Sequence, residues 1–102
     1  TGKIDWTRSS LEIHNLVRGT NPFPVSYSFD EEGERIKIWS TLLTNIKKPG
    51  SKEAGDVIEA SADGIYVATG DGVIKITELQ GPSGKRMKAG DYVNGHKITK
   101  LT

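Results

Sequence analysis

Cysteine is absent from the chain, so neither a disulfide framework nor a thiolate metal site can be built from it. No apolar run approaches the roughly 20 residues a helix needs to cross a bilayer. Nothing at the start has the basic, apolar, small-residue order of a signal peptide. Neither sign of charge prevails: the formal net charge is +1, and so the overall balance does not announce a nucleic-acid binder. These absences suit a cytoplasmic protein with no membrane partner. What is present is 34% hydrophobic and 26% charged residues over 102 positions. That composition fits one domain with a modest core and argues against disorder.

The distribution of charge says more than its sum. Asp30, Glu31, Glu32 and Glu34 cluster at one turn. From Gly81 onward Lys85, Arg86, Lys88, Lys97 and Lys100 face a single acid, Asp91. A second basic knot, Lys47, Lys48 and Lys52, lies in a Pro-Gly-Ser loop. Either set can be an ordinary solvated loop, or a local patch that attracts a polyanion despite the near-neutral total.

The pattern of residues predicts a helix followed by strands. Ser9 and Glu12 have the spacing of a capping box, and Leu11, Ile13, Leu16 and Val17 recur at helical spacing, which predicts a helix over about 8–18. Gly19, Pro22 and Pro24 end it. Val25, Tyr27 and Phe29 then alternate with serines, predicting a strand whose apolar face carries the aromatics. Further strands are predicted at 35–39, with apolar character continuing through Leu43, and at 56–60, 65–69 and 73–79. Asp63-Gly64 and Asp71-Gly72 supply hairpin turns because they accept positive φ. Leu79 falls out of phase with Ile74 and Ile76, which signals a bulge or a strand end. A helical turn over 87–93 and a closing strand over 97–101 complete the reading. Five to six short strands with few helices indicate a mainly β fold, a small barrel or a sandwich. Trp6, Tyr27, Phe29 and Trp39 sit in apolar patterns and are expected to pack in the core rather than stack on bases.

Catalytic chemistry finds little support in the residues. His14 lies beside apolar helix positions, as a hydrogen-bonded side chain commonly does, and His96 follows the Asn94-Gly95 turn. Neither has a nucleophile at a telling spacing, and two histidines without cysteine make a weak metal site. Gly70-Asp71-Gly72 joins two strands and opens no helix, so it is not a phosphate cradle.

Two stretches carry a family resemblance. Near the end, Glu78-Leu79-Gln80 is followed by Gly84-Lys85-Arg86-Met87 and then Asn94-Gly95. At the start, Ile4-Asp5-Trp6 and Arg18-Gly19-Thr20-Asn21-Pro22-Phe23-Pro24 bracket the predicted helix. In this order the stretches closely resemble the C-terminal domain of methionyl-tRNA formyltransferases, over essentially the whole chain. The resemblance implies an OB-like open β-barrel with an N-terminal α-helix and a short C-terminal helical turn, as a single domain over 1–102. It also implies that the catalytic domain, which transfers formyl from 10-formyltetrahydrofolate to the methionyl amine, precedes Thr1. This piece would then hold no cofactor, metal or catalytic residue, and would be inactive alone. Its implied partners are initiator Met-tRNA and the N-terminal formyltransferase domain.

On this reading Lys85, Arg86 and Lys88 are expected to contact RNA phosphates, with Lys47, Lys48 and Lys52 as a second set. Arg18, Asn21, Pro22, Phe23 and Pro24 form either a structural turn after the helix or a stiff surface toward the catalytic domain. Phe23 stands where many members have Trp, Val25 where Gly is common, and Lys88 where a capping serine is frequent. Two other readings remain: the equivalent domain of a nucleotide-sugar formyltransferase or formyltetrahydrofolate hydrolase, and a freestanding structural barrel.

Overall fold

A computed structural model describes residues 2–20, 25–82 and 84–102. Helix α1 (Ser10–Thr20) begins where the Glu12 amide donates to Ser9 Oγ and the Ser9 amide to Glu12 Oε1, both at 3.1 Å. This is the reciprocal capping box the spacing predicts, with both helix ends about two residues later than expected. A third link comes from outside the helix: the Ser10 amide donates to Asp71 Oδ1 at 2.9 Å. Ile13 and Val17 are buried by the helix, but Leu11 is 55% exposed and does not belong to its apolar face.

The strands are β1 (Ser26–Phe29), β2 (Arg35–Leu43), β3 (Val57–Ser61), β4 (Gly64–Ala68), β5 (Val73–Gln80) and β6 (Met87–Lys88). They form one antiparallel sheet in the order β1-β2-β5-β4-β3, with β6 on β5. The fold is mainly β, as expected: an open six-stranded sheet with an N-terminal helix and a short C-terminal helix, α2 (Ala89–Tyr92). The helical turn expected over 87–93 is split, because Met87 and Lys88 pair with Leu79 and Glu78 before the chain turns.

The sheet does not close as a regular barrel, and the closing strand expected over 97–101 is not formed. Only Lys100 makes a bridge, to Asp56. The end of the chain nonetheless spans the gap between the two sheet edges. Thr102 and Phe29 exchange both backbone bonds at 2.8 Å, while the Leu101 amide donates to Gly55 O and the Val57 amide to Thr99 O. Backbone groups that an open edge would leave unpaired are thereby satisfied without a strand.

Leu79 is fully buried, and the phase break before it is a local irregularity in the β2–β5 ladder. Ile38 lies opposite Leu79 and Thr41 opposite Ile76, with register shifts on either side of Ser40. Inward residues are therefore three apart on both strands rather than two. The β4–β5 turn differs from the expected one. Thr69 and Gly72 close it, the Thr69 amide donating to Gly72 O, and only Gly64 of the two turn glycines has positive φ.

Strand β1 is inverted relative to expectation. Ser26 and Ser28 are buried, while Tyr27 and Phe29 are half-buried on the other face. The reason is Trp6: its indole fills the core above β1, and its Nε1 donates to Ser28 Oγ at 2.9 Å. Ser28 Oγ in turn donates to the Thr102 carbonyl at 2.9 Å. A large ring from outside the sheet requires small residues beneath it, and a buried indole N–H requires an acceptor. Of the four aromatics assigned to the core, Trp6 is buried, and Tyr27, Phe29 and Trp39 are half-buried.

His14 is held against Thr41, with Nδ1 2.7 Å from Thr41 Oγ1. Burial, then the nearby Arg18, holds its imidazole below the ordinary value of 6.5. A depressed pKa means that the folded state favours the neutral ring. Its contribution is complete above about pH 6.5 and is lost as pH falls through the folded value. Urea midpoints at pH 7.5 and 5.5 should therefore fall more steeply in the wild type than in His14→Gln. At Gly55, φ is +95° and an added Cβ would fall on the Leu101 carbonyl. Gly55→Ala is expected to lower stability by about 1–3 kcal/mol in urea denaturation, since backbone must move on both sides.

Candidate nucleic-acid interface

The two basic loops predicted from sequence are not brought together. Lys47 and Lys48 follow the end of β2 that pairs with the start of β5, where Thr44 Oγ1 donates to Val73 O. Lys85, Arg86 and Lys88 follow the far end of β5. Eight residues of strand separate them, on the order of 20 Å or more. Lys47 and Lys52 are exposed and Lys48 is half-buried.

The basic residues of the β5–β6 loop, Lys85 and Arg86, and Lys88 of β6 differ from one another. Lys85 and Lys88 are exposed, and neither has a carboxylate partner among the described residues. Arg86 is committed within the molecule. Its Nε and Nη2 both donate to Glu78 Oε1, at 2.8 and 2.5 Å, and its guanidinium lies 4.5 Å from the centre of the Trp39 ring. Gln80 completes this knot, accepting from Trp39 Nε1 at 3.0 Å and donating to Gly84 O at 3.2 Å. The loop is thus held to the outer face of the sheet.

On its other side the loop borders acid. A hollow of about 590 Å³ separates it from the 30–34 turn and is lined by Asp30, Glu31, Glu32, Glu34, Tyr92 and His96, among others. The Asp30 carboxylate accepts the Glu32 and Glu34 amides, and Glu31 accepts the Thr99 amide. Burial, followed by the nearby carboxylates, pushes the Tyr92 phenol up. His96 stacks on Tyr92 with ring centres 4.2 Å apart. The carboxylates make this side of the loop unfavourable for an anion.

Arg18 is exposed in the last turn of α1. Asn21, Pro22, Phe23 and Pro24 lie outside the described residues. Sequence reasoning overlooked Arg35 and Lys37, which are exposed on β2 between buried Ile36 and Ile38. Their alternation with the isoleucines was the available signal. Among the described residues no three His, Asp or Glu side chains gather as metal ligands, and no helix is long and apolar enough to cross a membrane.

These features define a small mainly β domain that displays charged loops around a packed core. The chain belongs to the formyl transferase C-terminal domain family, whose model matches residues 1–97. It is 43% identical over 95 residues to the methionyl-tRNA formyltransferase of Clostridium beijerinckii, and 46% identical over 101 residues to that of Halothermothrix orenii. Those alignments cover 93% and 95% of this chain but 30% and 32% of the relatives, so the chain spans about a third of their length. Among solved structures, HypX from Aquifex aeolicus in complex with tetrahydrofolic acid superimposes with a TM-score of 0.67 at 15% identity, covering 99% of this chain and 20% of that one. That likeness concerns the fold.

Lys88 is also the N-cap of α2 and makes no side-chain capping bond there. Lys88→Ser is expected to raise stability by about 0.5–1 kcal/mol in urea denaturation, because a hydroxyl can accept a free amide of the first turn.

Proposed function

We propose that this chain is the RNA-positioning domain of a methionyl-tRNA formyltransferase. It holds initiator Met-tRNA while an upstream catalytic region transfers formyl to the methionyl amine. The observation that carries the reading is the state of Lys85 and Lys88: two exposed cations without carboxylate partners among the described residues, one on the β5–β6 loop and one on β6, beside the knot of Arg86, Trp39 and Gln80 that pins the loop to the sheet. A loop anchored in this way presents charge at a fixed place with little ordering left to do on binding. The identity to methionyl-tRNA formyltransferases across nearly all of this chain supports the assignment.

Backbone contacts by lysines position an RNA without reading its bases. Lys85 and Lys88 are the principal contacts in this reading, with Arg86 orienting the loop and offering its remaining N–H groups. Lys47, Lys48 and Lys52 form a separate, weaker set at the other end of the sheet. Arg18 faces the catalytic region, and exposed Leu11, Leu43 and Ile46 add apolar area for the same contact. The formyl donor, 10-formyltetrahydrofolate, belongs to that upstream region. The hollow beside Tyr92 is a poor fit for it, since four carboxylates line the hollow and would oppose the anionic tail of a folate. This chain alone is inactive on that account, and its parent works in the cytoplasm.

Titration with initiator Met-tRNA at several salt concentrations tests the proposal. About four phosphate contacts give a slope of log K against log salt near −3. The double variant Lys85→Ala/Lys88→Ala should flatten that slope by about 1.5. Binding that is unchanged in the variant would sink the loop assignment. No binding at low salt would sink the proposed role of the isolated domain.

A further inference from the structure

Strand register places a continuous row of side chains on the outer face of the sheet. Tyr27 lies opposite Lys37, Lys37 opposite Gln80, and Phe29 opposite Arg35. Glu78, two residues before Gln80 and so on the same face, lies opposite Lys88. Residues that pair across a ladder share a face, while Ile36, Ile38 and Leu79 between them are buried. Four cations therefore lie on this face or at its edge: Lys3 beside β1, Arg35 and Lys37 on β2, and Lys88 on β6. Arg86 is added from above Trp39, and Glu78, bonded to Arg86, is the acid in the row.

Two of these cations, Arg35 and Lys3, are also held. The Arg35 guanidinium lies 4.0 Å from the centre of the Tyr27 ring, and Lys3 Nζ 5.9 Å from that of Phe29. Tyr27 and Phe29 brace each other edge to face at 5.8 Å. Neither Arg35 nor Lys37 has a carboxylate partner among the described residues, whereas Arg8, Lys75, Arg86 and Lys100 each have one. A guanidinium resting on a ring keeps its N–H edge free and loses little rotamer freedom when a phosphate arrives.

We propose that this face, centred on Arg35 and Lys37, is a second RNA-contact strip that continues the β5–β6 loop across β2 to β1. Its ligand is the phosphate backbone of a structured RNA, not its bases, because the ring faces are occupied by the cations. The strip crosses three interstrand spacings, about 15 Å, and runs away from the acidic hollow at Tyr92. The proposal rests on the RNA-positioning reading and extends it to residues on strands rather than loops.

The test is an amide-shift titration of the chain with initiator tRNA, combined with affinities for three variants. The strip predicts shifts at residues 27, 35, 37 and 80 in addition to those at 84–88. Arg35→Ala/Lys37→Ala should weaken binding about 5- to 10-fold at low salt and flatten the salt slope by about 1.5. Arg35→Lys should keep the slope but recover only part of the affinity, since it restores charge without the ring-held fork. Variant spectra that match the wild type away from the substitutions establish that the fold is intact. Shifts confined to the two loops, with the double variant binding normally and Lys85→Ala/Lys88→Ala binding weakly, would overturn the strip and leave the RNA reading standing. No shifts anywhere at low salt would overturn both.

Discussion

Ile38 faces Leu79 and Thr41 faces Ile76, so β2 and β5 each place two residues between inward-pointing positions where a regular strand has one. With a strict period of two, one end of each strand would turn its isoleucine or leucine toward solvent. The irregularity keeps Ile36, Ile38, Ile74, Ile76 and Leu79 all buried. In the widened interval Ser40 and Thr77 satisfy each other through their hydroxyls. Trp39 is left on the outer face, where it bonds Gln80 and underlies Arg86. Core continuity and the anchoring of the basic loop thus follow from one change of phase in the longest ladder of the sheet.

The seam between the sheet edges depends on a different economy. Trp6 enters the core from the N-terminal segment, and the buried serines of β1 make room for its ring. Ser28 then links the indole to the last carbonyl of the chain. The N-terminal segment, β1 and the C-terminus are therefore coupled through one hydroxyl that both accepts and donates. Gly55 permits the close approach of residue 101 on the opposite edge. Both edges are covered by segments too irregular to count as strands, which explains why the sheet stays open while its rim is hydrogen-bonded.

What could be read in the sequence was local. The Ser9–Glu12 box, the strands on either side of Asp63-Gly64 and Asp71-Gly72, and the break in phase at Leu79 each depend on residues within one turn or one strand. What could not be read depended on a distant partner. The alternation of serine and aromatic residues in β1 does not reveal which set faces inward, because the deciding residue, Trp6, is 22 positions away from Ser28. Ile98 and Leu101 are both buried, yet they stand three residues apart where a strand buries every second one; only Lys100 bridges, and the segment bends between two edges. At the interface the basic loop was visible as composition, but its internal pairing was not. Arg86 looks equivalent to Lys85 in sequence, and only the fold supplies Glu78 and Trp39 to occupy it.

A formal charge of +1 is compatible with RNA binding when the charges are sorted by side. The 30–34 carboxylates gather around the Tyr92 hollow, and two of them, Asp30 and Glu31, are fixed there by backbone amides rather than by cations. Acids that satisfy themselves in this way leave Lys37, Lys85 and Lys88 without carboxylate partners among the described residues. The potential along a surface depends on such local arrangement within about a Debye length, near 8–10 Å at physiological salt. A domain of this size, 34 × 28 × 23 Å, spans several Debye lengths. Its acidic hollow and its basic face therefore present separate surfaces of opposite local charge.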